Sequence, residues 1–283
     1  MENAFTILPM SQNFSLVPGE TTTGSITIVN PVNSTSDFSY SISVSPYNVI
    51  GEDYQADIST ISAYSKIAEW ITISEPTGTV APNEAHEVEF TITVPEDAPA
   101  GGQYAAIMVS SDQSKQETEG VSINNVFALA SIIYADIEGE VTHEGSILQN
   151  NVPEFSTTTP IAVSALLDNH GNVHETAIVT LNVSNAVTGE KIFPTDEDQN
   201  NRFSEIIMPE TTRYINRNID NLPVLGIIKV EQTVYYNNEV STVVKDVIIC
   251  PIWFFCLVLL VIASIIGFIV ASVHHHRRKK ASI

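Results

Sequence analysis

Apolar and polar residues alternate with a period of two over much of the sequence before residue 247. In residues 38–44, Phe, Tyr, Ile and Val alternate with serines until Pro46, and in residues 88–94, Val, Phe, Ile and Val alternate with Glu and Thr until Pro95. Such alternation gives a strand one apolar and one polar face. Sustained helical periodicity is absent, apart from one short turn predicted between Ile58 and Trp70. The pattern therefore predicts an all-β fold of antiparallel sheets packed as sandwiches.

Turn residues divide this β-rich part into two predicted domains. Residues 187–190 and 236–239 are predicted hairpin tips, and Asn237 and Asn238 tolerate the positive φ angles that a two-residue hairpin needs. The polar segment 138–153 follows an apolar strand and marks a boundary. We predict a first sandwich over residues 1–138 and a second over residues 139–247.

A single apolar segment follows the second predicted sandwich. Residues 252–273 contain no charged side chain, and as a helix they span roughly 33 Å, the thickness of a bilayer core. Trp253 lies at the start, where an aromatic belongs at the headgroup level, and four basic residues follow the end: Arg277, Arg278, Lys279 and Lys280. We predict a transmembrane helix over residues 248–273 that these residues anchor, and a basic tail over residues 274–283.

The distribution of charge predicts the orientation of that helix. The net charge is −21, yet all 33 acidic residues precede the apolar segment and four of the 12 basic residues follow it. The positive-inside rule then places the acidic part outside a cell membrane and the tail in the cytoplasm. No signal peptide is visible in residues 1–12, so either the true start lies upstream or the chain is tail-anchored with its bulk in the cytosol. The basic tail favours export.

Composition also limits the partners and the compartment. A globular part this acidic repels nucleic acid, so we expect no DNA or RNA partner. The only cysteines are Cys250 and Cys256, at or within the apolar segment, so the outer part can form no disulfide of its own. The lack of a disulfide in this part is more typical of a bacterial surface protein than of an animal one.

Several turn and strand-edge motifs are shared with a known family. Residues 5–19, which end in Leu-Val-Pro-Gly, resemble the opening of the bacterial WxL-interacting surface proteins. Residues 78–84 and 94–104 are similar to the first domain of that family, and Asn-His-Gly-Asn-Val-His-Glu at residues 169–175 is similar to the start of its second domain. A terminal membrane helix with a short basic tail completes the likeness.

The resemblance implies two tandem immunoglobulin-like β-sandwich domains plus one C-terminal transmembrane α-helix. It implies that the first domain binds peptidoglycan and WxL proteins, and that the second binds partner or host extracellular proteins. Membrane lipid would surround the helix. The chain has no Trp-x-Leu motif of its own, so it would receive a WxL partner. The matched positions are structural, and no binding residue is carried over from the family.

Three residues are weak candidates for a binding site. His170 and His174 are four residues apart, a zinc-ligand spacing on a helix, but Gly171 and Asn172 between them indicate a turn with solvated histidines. Trp70 is either an anchor for a partner or, more often in such a pattern, a tryptophan of the sandwich core or its edge. The acidic residues 196–198 suggest either a calcium ligand group or a solvated loop, and the loop is favoured. We predict no metal site and no cofactor.

No catalytic motif is present in the sequence. A Gly-x-Ser-x-Gly elbow, an exposed cysteine nucleophile and a phosphate-binding glycine loop are all missing. We therefore expect a non-enzymatic adhesion or scaffold protein of the bacterial cell surface, with recognition in polar loops such as residues 110–120 or at strand edges. The alternative is an accessory or chaperone-like subunit of a membrane secretion or wall-assembly complex, in which the span contacts other helices.

Overall fold

The computed structural model describes residues 5–111, 128–194 and 201–280, with side chains as far as residue 271. It confirms the predicted fold class, because the chain is mostly β-sheet in immunoglobulin-like sandwiches, with one C-terminal helix. The predicted loop at 110–120 lies outside the described residues beyond Ser111, and the predicted acidic loop at 196–198 lies outside them entirely.

The first sandwich is built from two sheets. Its strands are β1 (Thr6–Leu8), β2 (Ser11–Leu16), β3 (Thr21–Val29), β4 (Phe38–Pro46), β5 (Asn48–Ile50), β6 (Gln55–Asp57), β7 (Ile71–Ile73), β8 (Thr77–Val80), β9 (Ala85–Thr93), β10 (Gly101–Ser111) and β11 (Ala128–Ile137). One sheet has the order β1-β3-β9-β7 and the other β2-β11-β10-β4-β8, while β5 and β6 form a small hairpin. A short 3-10 helix, Lys66–Glu69, lies where the sequence predicts a turn.

The core of this sandwich is formed by the apolar sides of the alternating strands. Ile26, Phe90 and Ile92 from one sheet and Ile107 and Ile133 from the other are fully or almost fully buried in a single cluster. The alternation therefore predicts which side chains face inward. It does not predict every strand direction, since β2 pairs parallel to β11 in a sheet expected to be antiparallel.

The second sandwich is also built from two sheets. Its strands are β12 (Gly145–Asn151), β13 (Phe155–Ser156), β14 (Ile161–Asn169), β15 (Glu175–Asn185), β16 (Lys191–Phe193), β17 (Arg202–Ile207), β18 (Thr211–Ile219), β19 (Gly226–Tyr236) and β20 (Glu239–Ile249). One sheet has the order β12-β14-β18, and the other has the order β13-β20-β19-β15-β16 with β17 also on β15. Val163, Leu181, Val230 and Val247 lie in its core. Asn237 and Asn238 have φ angles of 40° and 63° between β19 and β20, which confirms the predicted hairpin tip.

The chain divides into two compact units. Unit 1 takes in the described residues of Met1–Ser146, Leu167–Thr176 and Ile206–Tyr214; unit 2 takes in those of Ile147–Leu166, Ala177–Glu205 and Ile215–Ile283. Each unit is described by itself below.

Two residues separate the end of β20 from the C-terminal helix α1 (Ile252–Lys280). Its segment Ile252–Ala271 has a mean hydropathy of 3.1 and no residue buried against the protein, so by length and composition it could cross a membrane. Trp253 is exposed near its start. The side chains of the other predicted anchors, Arg277, Arg278, Lys279 and Lys280, lie outside the described part of the chain. Cys250 is buried at the end of the sandwich, whereas Cys256 is exposed on the helix.

Candidate functional site

A tyrosine-lined cavity of about 280 Å³ lies within unit 1. Tyr47, Tyr64 and Tyr104 provide its aromatic wall, and Asp57 and Glu210 provide carboxylates. The rest of the lining is formed by Asn48, Val49, Ile50, Thr60, Ser62, Met208, Pro209 and Thr211. The cavity thus combines flat apolar surfaces with hydrogen-bonding groups, which is the usual composition of a small-ligand site.

Tyr104 is fixed at the bottom of this cavity by His174. The backbone N–H of His174 donates to the Tyr104 hydroxyl at 2.8 Å, and the same hydroxyl lies 3.3 Å from Nδ1 of the His174 ring. The hydroxyl can donate to Nδ1 or accept from it, according to the tautomer of His174.

Burial sets the protonation states in this cluster. The pKa of His174 is lowered because burial disfavours the charged imidazole, although Asp136 and Glu175 oppose this. Burial also raises the pKa of Tyr104, and it raises the pKa of Tyr134, whose ring packs against both residues, to about 12. The rings of His174, Tyr104 and Tyr134 are therefore uncharged near pH 7 and offer hydrogen-bonding and stacking surfaces.

Glycine residues position the Tyr104 strand. Gly101 has a φ of 106°, a value that favours glycine, and a Cβ at Gly102 would collide with the Tyr104 phenol. The N–H of Gly102 donates to the carbonyl of Asn172 at 2.7 Å, which ties the start of β10 to the turn that precedes His174. The two glycines therefore allow the tyrosine and the histidine turn to approach each other.

The other wall of the cavity is held by Tyr54 and Arg213. The Arg213 guanidinium lies 4.5 Å from the centre of the Tyr54 ring and donates to the carbonyl of Ile206 at 2.6 Å. The Tyr54 hydroxyl accepts from the N–H of Met208 at 2.9 Å and also contacts the Thr211 hydroxyl. These bonds place Met208 and Thr211 at the cavity rim.

His170 and His174 do not form a site together. His170 is exposed, with Nε2 3.1 Å from Asp168, whereas the His174 side chain is only 18% exposed. The expectation of two solvated histidines is therefore wrong for His174, because its ring packs between Tyr104 and Tyr134. Among the described residues, no group of three or more His, Cys, Asp or Glu side chains could hold a metal ion.

Trp70 is partly buried and packs against the core of the first sandwich. This agrees with the interpretation of a core-edge tryptophan. Its backbone carbonyl accepts from the N–H of Thr93 at 3.0 Å, so it also holds two strands together. It does not line the tyrosine cavity.

A second concavity, of about 650 Å³, lies within unit 2 and is called the β18 groove here. Its floor consists of Leu181, Ile192, Phe193 and Phe203, and one side is the end of strand β18 with the turn after it, from Asn216 to Asn221. Phe193 and Phe203 stack with ring centres 6.3 Å apart. β18 is the last strand of its sheet, so within the described residues no strand pairs with its outer edge.

Arg217 points into this groove. Its guanidinium lies 4.7 Å from the centre of the Phe203 ring and forms an ion pair with Glu205. Its Nε is buried and has no hydrogen-bond partner among the described residues. The groove therefore combines an apolar floor, the Arg217 side chain and the portion of β18 from Asn216 onward, on whose outer edge no described strand pairs. Nearer the start of β18, the N–H of Tyr214 donates to the carbonyl of Glu52 at 2.8 Å.

Sequence reasoning identified neither concavity. The tyrosines come from distant parts of the chain, and nothing local distinguishes them from core tyrosines. The groove had no local signal either, because its lining residues come from four separate segments of the sequence.

Comparison with known proteins adds information on the fold only. No family model matches the chain, and no curated protein matches it. The solved class 5 fimbriae chaperone CfaA is 12% identical, with 86% of this chain and 99% of that chain covered, at a TM-score of 0.41. The Salmonella enterica SafA pilin in complex with the SafB chaperone is 11% identical, with coverages of 87% and 96% and a TM-score of 0.41. The E. coli chaperone DraB is 12% identical, with coverages of 86% and 97% and a TM-score of 0.37.

Proposed function

We propose that this chain is a non-enzymatic adhesion or scaffold protein of the bacterial cell surface that captures an extended segment of a partner protein in the β18 groove. The observation that carries this proposal is the outer edge of β18 beside the groove, on which no described strand pairs, together with the apolar floor next to it. A free strand edge presents backbone N–H and C=O groups that a partner strand can pair with, and neighbouring pockets select its side chains.

The chemistry of the groove indicates the kind of segment that fits. The stacked rings of Phe193 and Phe203 suit one or two apolar side chains, which alternate along an extended strand. The Arg217 side chain, which lines the groove and is 38% exposed, suits a carbonyl or carboxylate oxygen of the ligand. We therefore expect a segment with alternate apolar residues and an acceptor beside them.

Hydrogen–deuterium exchange on the full chain in nanodiscs tests this proposal. With a surface-protein fraction added, the backbone amides of β18 should exchange more slowly. Ile192→Arg, which fills the groove floor, should abolish both the slowing and the retention of the partner. Val244→Arg, on the outer face of β20 and 54% exposed in the native chain, is the matched control and should change neither. Retention of a partner with unchanged exchange in β18 would refute capture in this groove.

A second candidate function is binding of wall glycan in the tyrosine cavity. Aromatic faces beside acceptors are the groups that stack on and hydrogen-bond to sugars. Hydrogen bonds from Ser59 and Thr60 hold the pKa of the Asp57 carboxyl at about 2, so it is an ionised acceptor at the pH of a cell wall. This proposal also draws on the resemblance to WxL-interacting proteins, which implies peptidoglycan as a ligand of the first domain.

Binding of purified peptidoglycan fragments to the full chain tests the glycan proposal. Tyr64→Ala should weaken binding about tenfold, because it removes one stacking face. Tyr214→Ala removes a tyrosine that is exposed outside the cavity and should leave the affinity unchanged. Equal affinities of the two variants would contradict glycan binding in this cavity.

We further propose that the chain belongs with the WxL-interacting proteins, that the sandwiches face the wall and that the tail lies in the cytoplasm. The turn motifs, the uncharged span and the basic tail support this arrangement. Protease added to intact cells should remove the sandwiches, and full protection would overturn the orientation. WxL surface proteins are the first partners to test, and host extracellular proteins are the next.

A further inference from the structure

The membrane-proximal end of unit 2 carries a group of exposed apolar side chains, called the apolar collar here. Strand β20 ends at Ile249 and α1 begins at Ile252, so only Cys250 and Pro251 separate the sheet from the helix. Loops at this end of the sheet must therefore lie close to the surface of any membrane that α1 enters. The collar consists of Phe155, Val187, Val224, Leu225, Ile227 and Ile248.

Three collar residues form one row across the outer face of the sheet. Ile227 is the cross-strand partner of Ile248, and Phe155 on β13 is the neighbour of Ile248 on its other side. All three side chains are exposed: Ile227 to 41%, Ile248 to 47% and Phe155 to 46%. The Phe155 ring lies 6.1 Å from the ring of Phe255 in the first turn of α1. The apolar row is thus continuous with the start of the helix.

The other three residues lie on two loops at the same end. Val187, at the hairpin tip after β15, is 81% exposed, and Val224 and Leu225, just before β19, are 60% and 43% exposed. The N–H of Ala186 donates to the carbonyl of Ile227 at 3.0 Å, which places the hairpin tip beside the start of β19. Both loops therefore extend the apolar row at this end of unit 2.

Charged residues begin one row farther from the helix. On the same face of the sheet, the next cross-strand pair away from α1 is Lys229 and Asp246, and both side chains are exposed. Nearby, Nζ of Lys245 lies 3.1 Å from Glu154. An apolar row next to the helix and a charged row beyond it match the change from lipid to water at a membrane surface.

We infer that the apolar collar inserts into the interfacial layer of the bilayer, so that lipid is its partner. This inference rests on the proposed membrane anchoring by α1. The continuity with α1 argues for lipid over a protein partner, because a protein would have to occupy the space between the sheet and the membrane that a two-residue connection leaves. Exposed apolar patches of this kind are characteristic of interaction surfaces. The collar gives unit 2 a second membrane contact besides the span.

Fluorescence quenching by nitroxide-labelled lipid tests the inference on the full chain in vesicles. In a Cys250→Ser, Cys256→Ser background, an environment-sensitive dye is attached to Val187→Cys or Leu225→Cys. The matched control is Val240→Cys, which is 61% exposed but lies at the opposite end of β20. A dye at Leu260→Cys reports on the span itself. Quenching at Val187 and Leu225 should be at least about twofold stronger than at Val240.

The outcomes separate this inference from the proposals on which it depends. Quenching at Leu260 with equal, weak quenching at the other three positions would refute the collar and leave the anchoring by α1 intact. No quenching at Leu260 would refute the anchoring and the collar together.

Discussion

At the residue scale, Tyr104 and His174 show how far local sequence can mislead. The spacing of His170 and His174 suggests a zinc pair only if the residues lie on a helix, and the turn at Gly171 excludes that. What the spacing cannot show is the contact of His174 with Tyr104, a residue 70 positions away. The role of this histidine is set by long-range packing and not by its sequence neighbours.

Replacing Tyr104 with phenylalanine should destabilise the protein by about 1–3 kcal/mol. The change removes the hydroxyl and leaves the backbone N–H and Nδ1 of His174 without their partner in a buried place. The urea midpoint, followed by the fluorescence of Trp70 in the first sandwich, measures the loss. Tyr235→Phe at an exposed position should stay within about 0.5 kcal/mol of the wild type. Equal midpoints for the two variants would contradict the assigned hydrogen bonds.

The protonation of His174 should make stability depend on pH. Its pKa is lower in the folded protein than the ordinary 6.5, so the unfolded chain binds a proton first as the pH falls. The stabilising contribution is therefore complete above pH 6.5 and is lost as the pH falls through the pKa of the folded state. The urea midpoint should decrease from about pH 7.5 to about pH 5, above the range in which most carboxyl groups titrate.

His174→Gln should flatten this decrease, whereas His170→Gln, at the exposed histidine, should keep it. Asp136 and Glu175 favour the charged ring and limit the size of the effect, while Tyr104 and Tyr134 surround it without charge. A His174→Gln variant with the wild-type slope would show that other groups cause the dependence.

At the scale of elements, the sequence predicts strands and their inward faces well, because alternation is a local property. It also predicts the β19–β20 tip, because few residues accept positive φ angles there. It does not predict the parallel pairs β2–β11 and β13–β20, since strand direction within a sheet depends on where a distant strand returns. The β18 groove was missed for the same reason: its floor and its edge strand come from different sheets.

The double substitution Asn237→Ala, Asn238→Ala should destabilise the second sandwich by about 1–2 kcal/mol, since alanine is strained at positive φ. The matched variant Asn237→Gly, Asn238→Gly should keep most of the stability, because glycine adopts these angles freely. Circular dichroism during urea unfolding compares the two. A double glycine variant as unstable as the double alanine variant would show that the asparagine side chains, and not the backbone angles, stabilise the tip.

At the scale of the whole molecule, charge and hydropathy separate the chain into an acidic β-rich part and one apolar helix. This division was predictable because it depends on composition alone. The two concavities were not predictable, since they depend on which distant side chains the fold brings together.

Exchanging residues 252–271 for an unrelated apolar helix of equal length distinguishes the two proposed roles. An adhesion or scaffold protein needs only an anchor, so binding of surface partners by cells that carry the exchange should stay within about twofold of the wild type. A subunit of a secretion or wall-assembly complex needs specific contacts between helices, and it should lose its function. Membrane fractionation checks that the exchanged chain is still inserted.

The direct connection of β20 to α1 has a mechanical consequence. β20 is hydrogen-bonded to β19 along its whole length, from the cross-strand pair of Gly226 and Ile249 to the pair of Tyr236 and Glu239. On its other side it pairs with β13. A force that pulls the sandwich away from α1 acts along β20, so the ladder bonds bear the load together in shear instead of opening one by one. The strand next to α1 is thus arranged to resist tension, which the proposed role of a surface tether requires.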